Sequence, residues 1–380
     1  MIILLFTNFS DSEPKKHKTM NRLIFIIVIF IGIFIIPEAN AGNPDRQGEA
    51  GAYELLLNPW ARSAGLNGLV VSSITGVEAM RFNPAGIGRL YGATEVAVAH
   101  TQYMIGTGIN LTAGGLAQKI GKNGAVGITL MAMGFGDIPL TTTAQPNGIG
   151  TFSPSFFNIG LGYSHIFRDK EGNEKISIGL TVRIVSESLT NATAMGAAFD
   201  AGVQYVTGNQ KQVKFGLALR NIGTKMKFSG DGLAFIGMAP NGTTPLTVEE
   251  RVASFELPSL LHIGASYDFW FPKETEDKEG KINRLSVNAM FTANSFARDQ
   301  FGIGLEYAFR EMLMLRAAFR YENLMFSTIN AGTISNGFTA GMTLQIPFKK
   351  GSSRKIGFDY AFELTKDFGG THAFGLRVVL

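Results

Sequence analysis

From Ala93 to the C-terminus the chain repeats one pattern: a short stretch with an apolar residue at every second position, then a turn or loop. Residues 258–271 show it best. Leu261, Ile263, Ala265, Tyr267, Phe269 and Phe271 share one face, and Leu260, His262, Gly264, Ser266, Asp268 and Trp270 share the other. A strand buried on both faces would not carry a His, a Ser and an Asp on its second face. A strand of a barrel wall does, because its side chains alternate between lipid and lumen. Fourteen such stretches are expected, near 93–104, 109–120, 124–134, 155–168, 176–189, 195–208, 212–222, 258–271, 282–292, 300–310, 311–321, 336–346, 354–362 and 371–380. The alternation is weakest across 93–120. The fold expected is all-β: a transmembrane antiparallel β-barrel of fourteen strands.

The connections test that count. Every second one is short and polar: Gly121 to Gly124, Arg168 to Lys175, Gly208 to Lys211, Pro272 to Lys281, the Arg310-Glu311 junction and Lys349 to Arg354. The three longest, Phe135 to Pro154, Gly223 to Leu257 and Glu322 to Ser335, all fall in the other set. An outer-membrane barrel has this asymmetry, with tight periplasmic turns and long outside loops. One missed strand would scramble it. The expectation that follows is a periplasmic N-terminus with the long loops outside.

Parity sorts the side chains. Val213, Phe215, Leu217 and Leu219 should face lipid, as should Phe301 to Phe309 and Ile356 to Phe362 at alternate positions. Tyr103, Tyr163, Phe167, Trp270, Phe271 and Tyr321 lie near strand ends, where amphipathic rings settle at headgroup level. The lumen should hold Arg183, Lys214, Arg220, Arg284, Arg316, Arg320 and Lys355 against Asp200, Asp268, Glu306, Asp359 and Glu363. That mixture fits a selective pore or a hydrated network of ion pairs. Balanced signs favour the network.

The N-terminus carries an export pattern. Met20-Asn21-Arg22 opens a basic start, Leu23 to Ile36 is apolar, and Ala39-Asn40-Ala41 is a small-x-small cleavage pattern. The 19 residues before Met20 include Lys15, Lys16 and Lys18, which points to a start at Met20, with cleavage after Ala41. The apolar run is short for a spanning helix, which needs about 20 residues. The absence of cysteine excludes disulfides, thiolate chemistry and N-terminal lipidation on Cys. A formal net charge of only +4 gives no nucleic-acid footprint.

Residues 42–92 do not alternate and are rich in Gly, Ala and Asn-Pro turns. They read as short helical pieces that cannot form a core of their own and that a wide lumen can house. Here the chain resembles a family. Ala61, Arg62, Gly65 and Gly68, then Ala79, Asn83, Pro84, Ala85 and Gly86, resemble the hatch motif of the PorV/PorQ outer-membrane proteins of Bacteroidota, relatives of the FadL long-chain fatty-acid transporters. Phe82 stands where many members have Trp, and the final Leu380 where barrels usually end in an aromatic. The resemblance implies a fourteen-stranded barrel with the segment inside as a hatch that keeps the pore shut. It also implies a place in type IX secretion, with the translocon barrel, exported proteins bearing C-terminal signal domains and a cell-surface sortase as partners. The alternative is a FadL-like transporter of fatty acids or other hydrophobic compounds, with Leu55 to Leu57, Trp60, Leu66, Met80 and Phe82 lining an apolar cavity.

Chemistry for catalysis is missing from the pattern. His100, His165, His262 and His372 sit on separate expected strands without paired spacing, and neither Gly-x-Ser-x-Gly nor His-Glu-x-x-His occurs. No enzyme activity, cofactor or metal is expected. The loop from Gly223 to Leu257 carries Lys225, Lys227, Phe228, Phe235, Ile236 and Met238, a mixture suited either to docking a partner or to forming a solvated lid.

Overall fold

The computed structural model describes residues 42–271, 283–327, 331–349, 352 and 354–380. The export segment before Gly42 and the expected turn from Pro272 to Lys281 lie outside the described residues. Fourteen strands build the wall: β1 (Thr94–Gln102), β2 (Asn110–Ile120), β3 (Gly124–Gly134), β4 (Ser155–Arg168), β5 (Glu174–Leu189), β6 (Ala192–Thr207), β7 (Val213–Gly223), β8 (Leu260–Phe271), β9 (Asn283–Asn294), β10 (Gln300–Phe309), β11 (Leu313–Glu322), β12 (Ser335–Pro347), β13 (Lys355–Thr365) and β14 (Thr371–Val379). Each pairs antiparallel with the next in sequence, and β1 pairs with β14 from Glu95↔Val379 to Gln102↔His372. The sheet is therefore closed, which leaves no edge in the hydrocarbon. Even the weakly alternating β1 and β2 pair without interruption from Thr94↔Gln118 to Gln102↔Asn110.

Alternation does the sorting. Leu161 and Leu180 are 61% and 64% exposed on the outside, whereas Ser164, Thr181, Asp200 and Gln204 are buried in the lumen. Tyr163, Phe167, Phe271 and Tyr321 are exposed on the outer surface as a headgroup belt requires. Two of the expected belt residues are not there. Trp270 has the lumen parity of Asp268 and lies with Arg284 5.7 Å from its ring. Tyr103 falls just past the end of β1, free of strand parity, and turns over a lumen cavity.

Residues 42–92 run through the barrel as single turns: 3-10 turns at Pro44–Arg46, Tyr53–Leu56 and Pro84–Arg89, and α-helical turns α1 (Ala61–Ala64) and α2 (Ala79–Phe82). Leu55, Trp60, Val77, Met80, Phe82 and Ile87 are buried between hatch and wall. The hatch begins at the long-loop end. Gly42 N–H donates to Asp299 in the β9–β10 connection, Asn43 N–H to the carbonyl of Asn294 at the end of β9, and Gly51 N–H to the Glu256 carbonyl beside β8. It leaves at the opposite end, where Ala93 N–H donates to the Leu380 carbonyl. Gly42, the first described residue, thus lies at the long-loop end rather than opposite it. Strand β1 does start at the short-turn end, as the loop asymmetry requires, but the hatch crosses the lumen first.

Three glycines on adjacent strands form the floor the hatch rests on. A Cβ at Gly179 of β5 would lie 2.5 Å from Ala85 N and inside hard contact with the Pro84 carbonyl. One at Gly202 of β6 would overlap the Asn83 amide, and one at Gly216 of β7 would meet Val71 backbone. Here glycine is needed for close approach of two backbones.

Candidate functional site

The hatch divides the lumen. α1 is the partition: Ser63 and Leu66 face a cavity of about 270 Å³ at the short-turn end, while Ala64, Asn67 and Gly68 face one of about 210 Å³ at the long-loop end. The partition is pinned to the wall. Ala61 packs on Ala361 and Ala373, and Asn67 Nδ2 donates to the Gly337 carbonyl at 2.8 Å. Gly65 lies back to back with Gly341 of β12, where a Cβ on Gly65 would meet Gly341 Cα at 3.0 Å.

The other motif residues tie the hatch to itself and to the wall. Arg62 Nε lies 3.3 Å from Glu78 Oε1 and its Nη2 donates to the Thr75 carbonyl, while Ser63 N–H donates to the other Glu78 oxygen. Gly68 takes φ +71 over the Phe82 ring. Asn83 caps the following 3-10 turn by accepting from Ala85 N–H, and its Nδ2 donates to the carbonyls of Val71 (2.8 Å) and Val203 (3.0 Å). Ala85 in turn accepts from Ser164 Oγ at 2.9 Å. Ala79 and Gly86 meet closely enough that a Cβ on Gly86 would fall 2.9 Å from the Ala79 Cβ.

The short-turn cavity is walled by charge in alternating sign. Lys214 Nζ pairs with Asp268 at 2.6 Å, Arg284 with Glu306 at 2.8 Å and Glu311 at 2.6 Å, and Arg316 with Glu306 at 2.6 Å. Arg377 approaches Asp359 at 3.8 Å. Of the two readings of the lumen charges, this is the ion-pair network. Arg377 belongs to the same lining, and Glu95 is buried under the hatch, where it accepts from Val77 N–H at 2.9 Å; both were missed from the sequence, although both have lumen parity.

The long-loop cavity is different. Leu56, Leu57, Phe82, Leu111, Leu260 and Met290 form the apolar part of its lining, hydroxyls and amides such as Thr101, Thr292 and Gln300 the neutral polar part, and Arg220, His262, Arg320 and Glu363 the part that can carry charge. Of the apolar residues expected from the sequence, Leu56, Leu57 and Phe82 line this cavity; Leu66 faces the other one, and Trp60 and Met80 line a small crevice near Arg183. Arg220 is 2% exposed and, among the described residues, makes no ion pair. Its Nη1 lies 3.4 Å from His262 Nε2, and its Nε and Nη2 have no hydrogen-bond partner. Behind it sit two more buried guanidiniums. Arg183 holds Asp200 at 2.6 Å, and Arg81 donates only to the Leu57 carbonyl. A burial this deep without a paired acceptor is costly, and among the described residues the other contact of the Arg220 guanidinium is the Phe82 ring, 5.8 Å away.

The wall is irregular at the same place. The β6–β7 register slips between Phe199 and Ala201, so Arg220 and Asn221 together face Asp200. Asn221 takes φ 57 there, and its N–H donates to Asp200 at 2.7 Å. A bulge of this kind re-aims side chains, and it is why Arg220 and Asn221 are both buried although neighbours in sequence.

Above the barrel the Gly223–Leu257 loop divides. Phe228 pairs its backbone with Ala194 and packs on Phe255 with ring centroids 5.8 Å apart, closing over buried Met226. Lys225 pairs with Glu256 at 3.3 Å, Arg46 holds the same carboxylate, and these two hydrogen-bonded cations keep it below the usual carboxylate range. Lys227 is exposed. Phe235, Ile236 and Met238 stand apart on a hairpin (Ala234–Met238 with Pro245–Glu249), 53%, 79% and 64% exposed. The four strand histidines stay separate, each beside a hydroxyl of its own neighbourhood, and no metal-binding group occurs among the described residues.

No protein-family model matches the chain, and no curated protein matches it. Among solved structures it is similar to the CymD monoaromatic hydrocarbon channel, at 13% identity over 85% of this chain and 97% of that one, with a TM-score of 0.50. It is similar also to the Ralstonia pickettii toluene transporter TbuX (14% identity, 84% and 96%, TM-score 0.47) and to a Pseudomonas aeruginosa FadL homologue (14%, 84% and 97%, TM-score 0.48). At such identities the likeness is one of fold. The chain is a closed antiparallel β-barrel of fourteen strands around an N-terminal segment of little helix, a fold it shares with CymD.

Proposed function

We propose that this protein is an outer-membrane channel for small apolar compounds bearing an acidic head. The observation that carries the reading is the long-loop cavity, where Leu111, Leu260 and Met290 share the lining with the buried guanidinium of Arg220, which makes no ion pair among the described residues. A carboxylate there gains charge-assisted hydrogen bonds worth about 1.5–3 kcal/mol, while the tail lies against Leu111, Leu260 and Met290. The structural neighbours named for hydrocarbon and toluene passage support an apolar cargo. The test is fluorescence titration of the purified barrel with dansyl-tagged undecanoate and with its methyl ester. The acid is expected to bind about 10–100-fold more tightly than the ester, and Arg220→Gln should erase that margin while leaving the ester unchanged. Absence of saturable binding of either probe overturns the channel reading.

A second reading, service to type IX secretion as the hatch motif implies, is favoured by one observation: the exposed Phe235, Ile236 and Met238 on the long-loop hairpin. Such a patch suits an exported C-terminal signal domain better than it suits water. Mild-detergent purification from the native host, with mass spectrometry, decides it. Recovery of the translocon barrel, or of exported proteins sharing that domain, lost on Ile236→Lys, would establish the role. Recovery of the barrel alone would sink it.

A further inference from the structure

The first hatch residue is held at several points. Gly42 N–H donates to Asp299 Oδ2 at 2.7 Å, while Asp299 Oδ1 accepts from Asn294 N–H at 3.2 Å. Next along, Asn43 N–H donates to the Asn294 carbonyl, and the Arg46 guanidinium lies 4.2 Å above the ring of buried Phe296. The cradle admits only glycine. A Cβ at residue 42 would fall 2.7 Å from Asp299 Oδ1, 2.8 Å from the Ala297 carbonyl and 2.9 Å from Asp299 N.

Gly42 is also the residue that follows the Ala39-Asn40-Ala41 cleavage pattern. We infer that export cleavage is itself the step that fastens the hatch: the new α-ammonium of Gly42 forms an ion pair with Asp299. This rests on the cleavage read from the sequence and is independent of what the channel carries. The chemistry balances with water alone. The peptidase adds water across the Ala41–Gly42 bond, Ala41 leaves as a carboxylate, and the freed amine takes up a proton, since an α-amine titrates near 7.7–8.0. Before cleavage the group at this position is one neutral amide N–H. Afterwards it is a cation with three donors, set against the Asp299 carboxylate. A charged donor roughly doubles the strength of such a bond. Asn294 also lines the long-loop cavity, so the latch sits at its rim.

The experiment starts with intact mass and N-terminal sequencing of the protein from outer membranes. A chain that starts anywhere but Gly42 removes the premise, whatever the binding titrations give. With Gly42 first, the α-amine is titrated by its rate of acetylation from pH 6 to 10, read by mass spectrometry on the tryptic peptide ending at Arg46. The native protein is expected to react at least tenfold more slowly than Asp299→Asn, with the midpoint about one unit above that of the free peptide. Because Asp299→Asn also alters backbone contacts, a second measurement isolates the charge. Forced acetylation of the wild-type amine should expose Arg62 and Arg81 to trypsin as the variant does. Equal labelling of wild type and Asp299→Asn, with a free-peptide midpoint, overturns the latch.

Discussion

Replacing Gly179 by Ala tests whether the hatch is seated by backbone contact. The added Cβ would lie 2.5 Å from Ala85 N, where ordinary contact begins at 3.4 Å, so the overlap is about 0.9 Å. Neither partner yields easily. Gly179 sits in mid-strand between Ser164 of β4 and Gly202 of β6, and Ala85 is fixed by the Asn83 cap and by Ser164. Overpacking costs about 1–3 kcal/mol, and overlap with rigid backbone belongs at the upper end. The wall is held by ladders on both sides and the hatch by single turns, so the hatch is what gives. About 3 kcal/mol shifts the ratio of seated to unseated hatch by more than a hundredfold. The assay is ion conductance in planar bilayers, paired with trypsin cleavage at Arg81 and Arg89. Gly134→Ala is the control, because nothing lies within 4 Å of its Cβ. Gly179→Ala should add open-channel events and hatch cleavage. If it matches Gly134→Ala in both, the seating argument is wrong.

Two further outcomes follow from the ion pairs. Arg316→Met leaves Glu306 with Arg284 alone and strips Thr343 of a 2.6 Å donor, so the loss should sit near 3 kcal/mol, the low end for a broken buried pair. It is read as a lower temperature for conversion to the unfolded band on gels, and an unchanged temperature would mean water fully replaces the guanidinium. The Glu256 carboxyl is held below its ordinary value by Lys225 and Arg46. A depressed carboxyl contributes stability that is complete above its unfolded value and lost as pH falls through the folded one. Limited proteolysis within residues 224–259 should therefore stay flat from pH 7 to 5 and rise only below the usual carboxylate range, and Glu256→Gln should abolish that rise.

The wall was legible because one rule governs it. Lipid outside and a polar lumen inside force period two, and β3 and β4 fall at the expected residues. The hatch was legible only as something that cannot fold alone. Its direction of travel is set by pairwise contacts such as Gly42 with Asp299, which no periodicity encodes. Arg220 carried lumen parity and was read correctly, but its lack of a partner was not readable. That state depends on a bulge at Asp200, which diverts the one nearby carboxylate to Arg183 and Asn221. Trp270 was misassigned because nearness to a strand end was weighed above its parity. Ring chemistry favours the interface on average, but the pleat decides the face.

Under the channel reading, the two cavities also set what the barrel could pass. An apolar solute in the long-loop cavity meets α1 below it, and beyond α1 a lining of Lys214, Asp268, Arg284, Glu306 and Arg316. Leaving grease for that lining forfeits about 25 cal/mol for each Å² of apolar surface re-exposed. Beside the upper cavity the ladder is interrupted in β6–β7 at Phe199/Ala201 and in β12–β13 between Ser335 and Thr339, which under the channel reading is where a side route would pass. Under the channel reading, then, ions and cargo take different routes. Unseating the hatch with Gly179→Ala opens a watery path through the charged lumen, and the affinity for dansyl undecanoate, fixed by Arg220 and the upper walls, need not follow it. Conductance and binding that rise and fall together across both variants would instead mean a single path straight down the barrel.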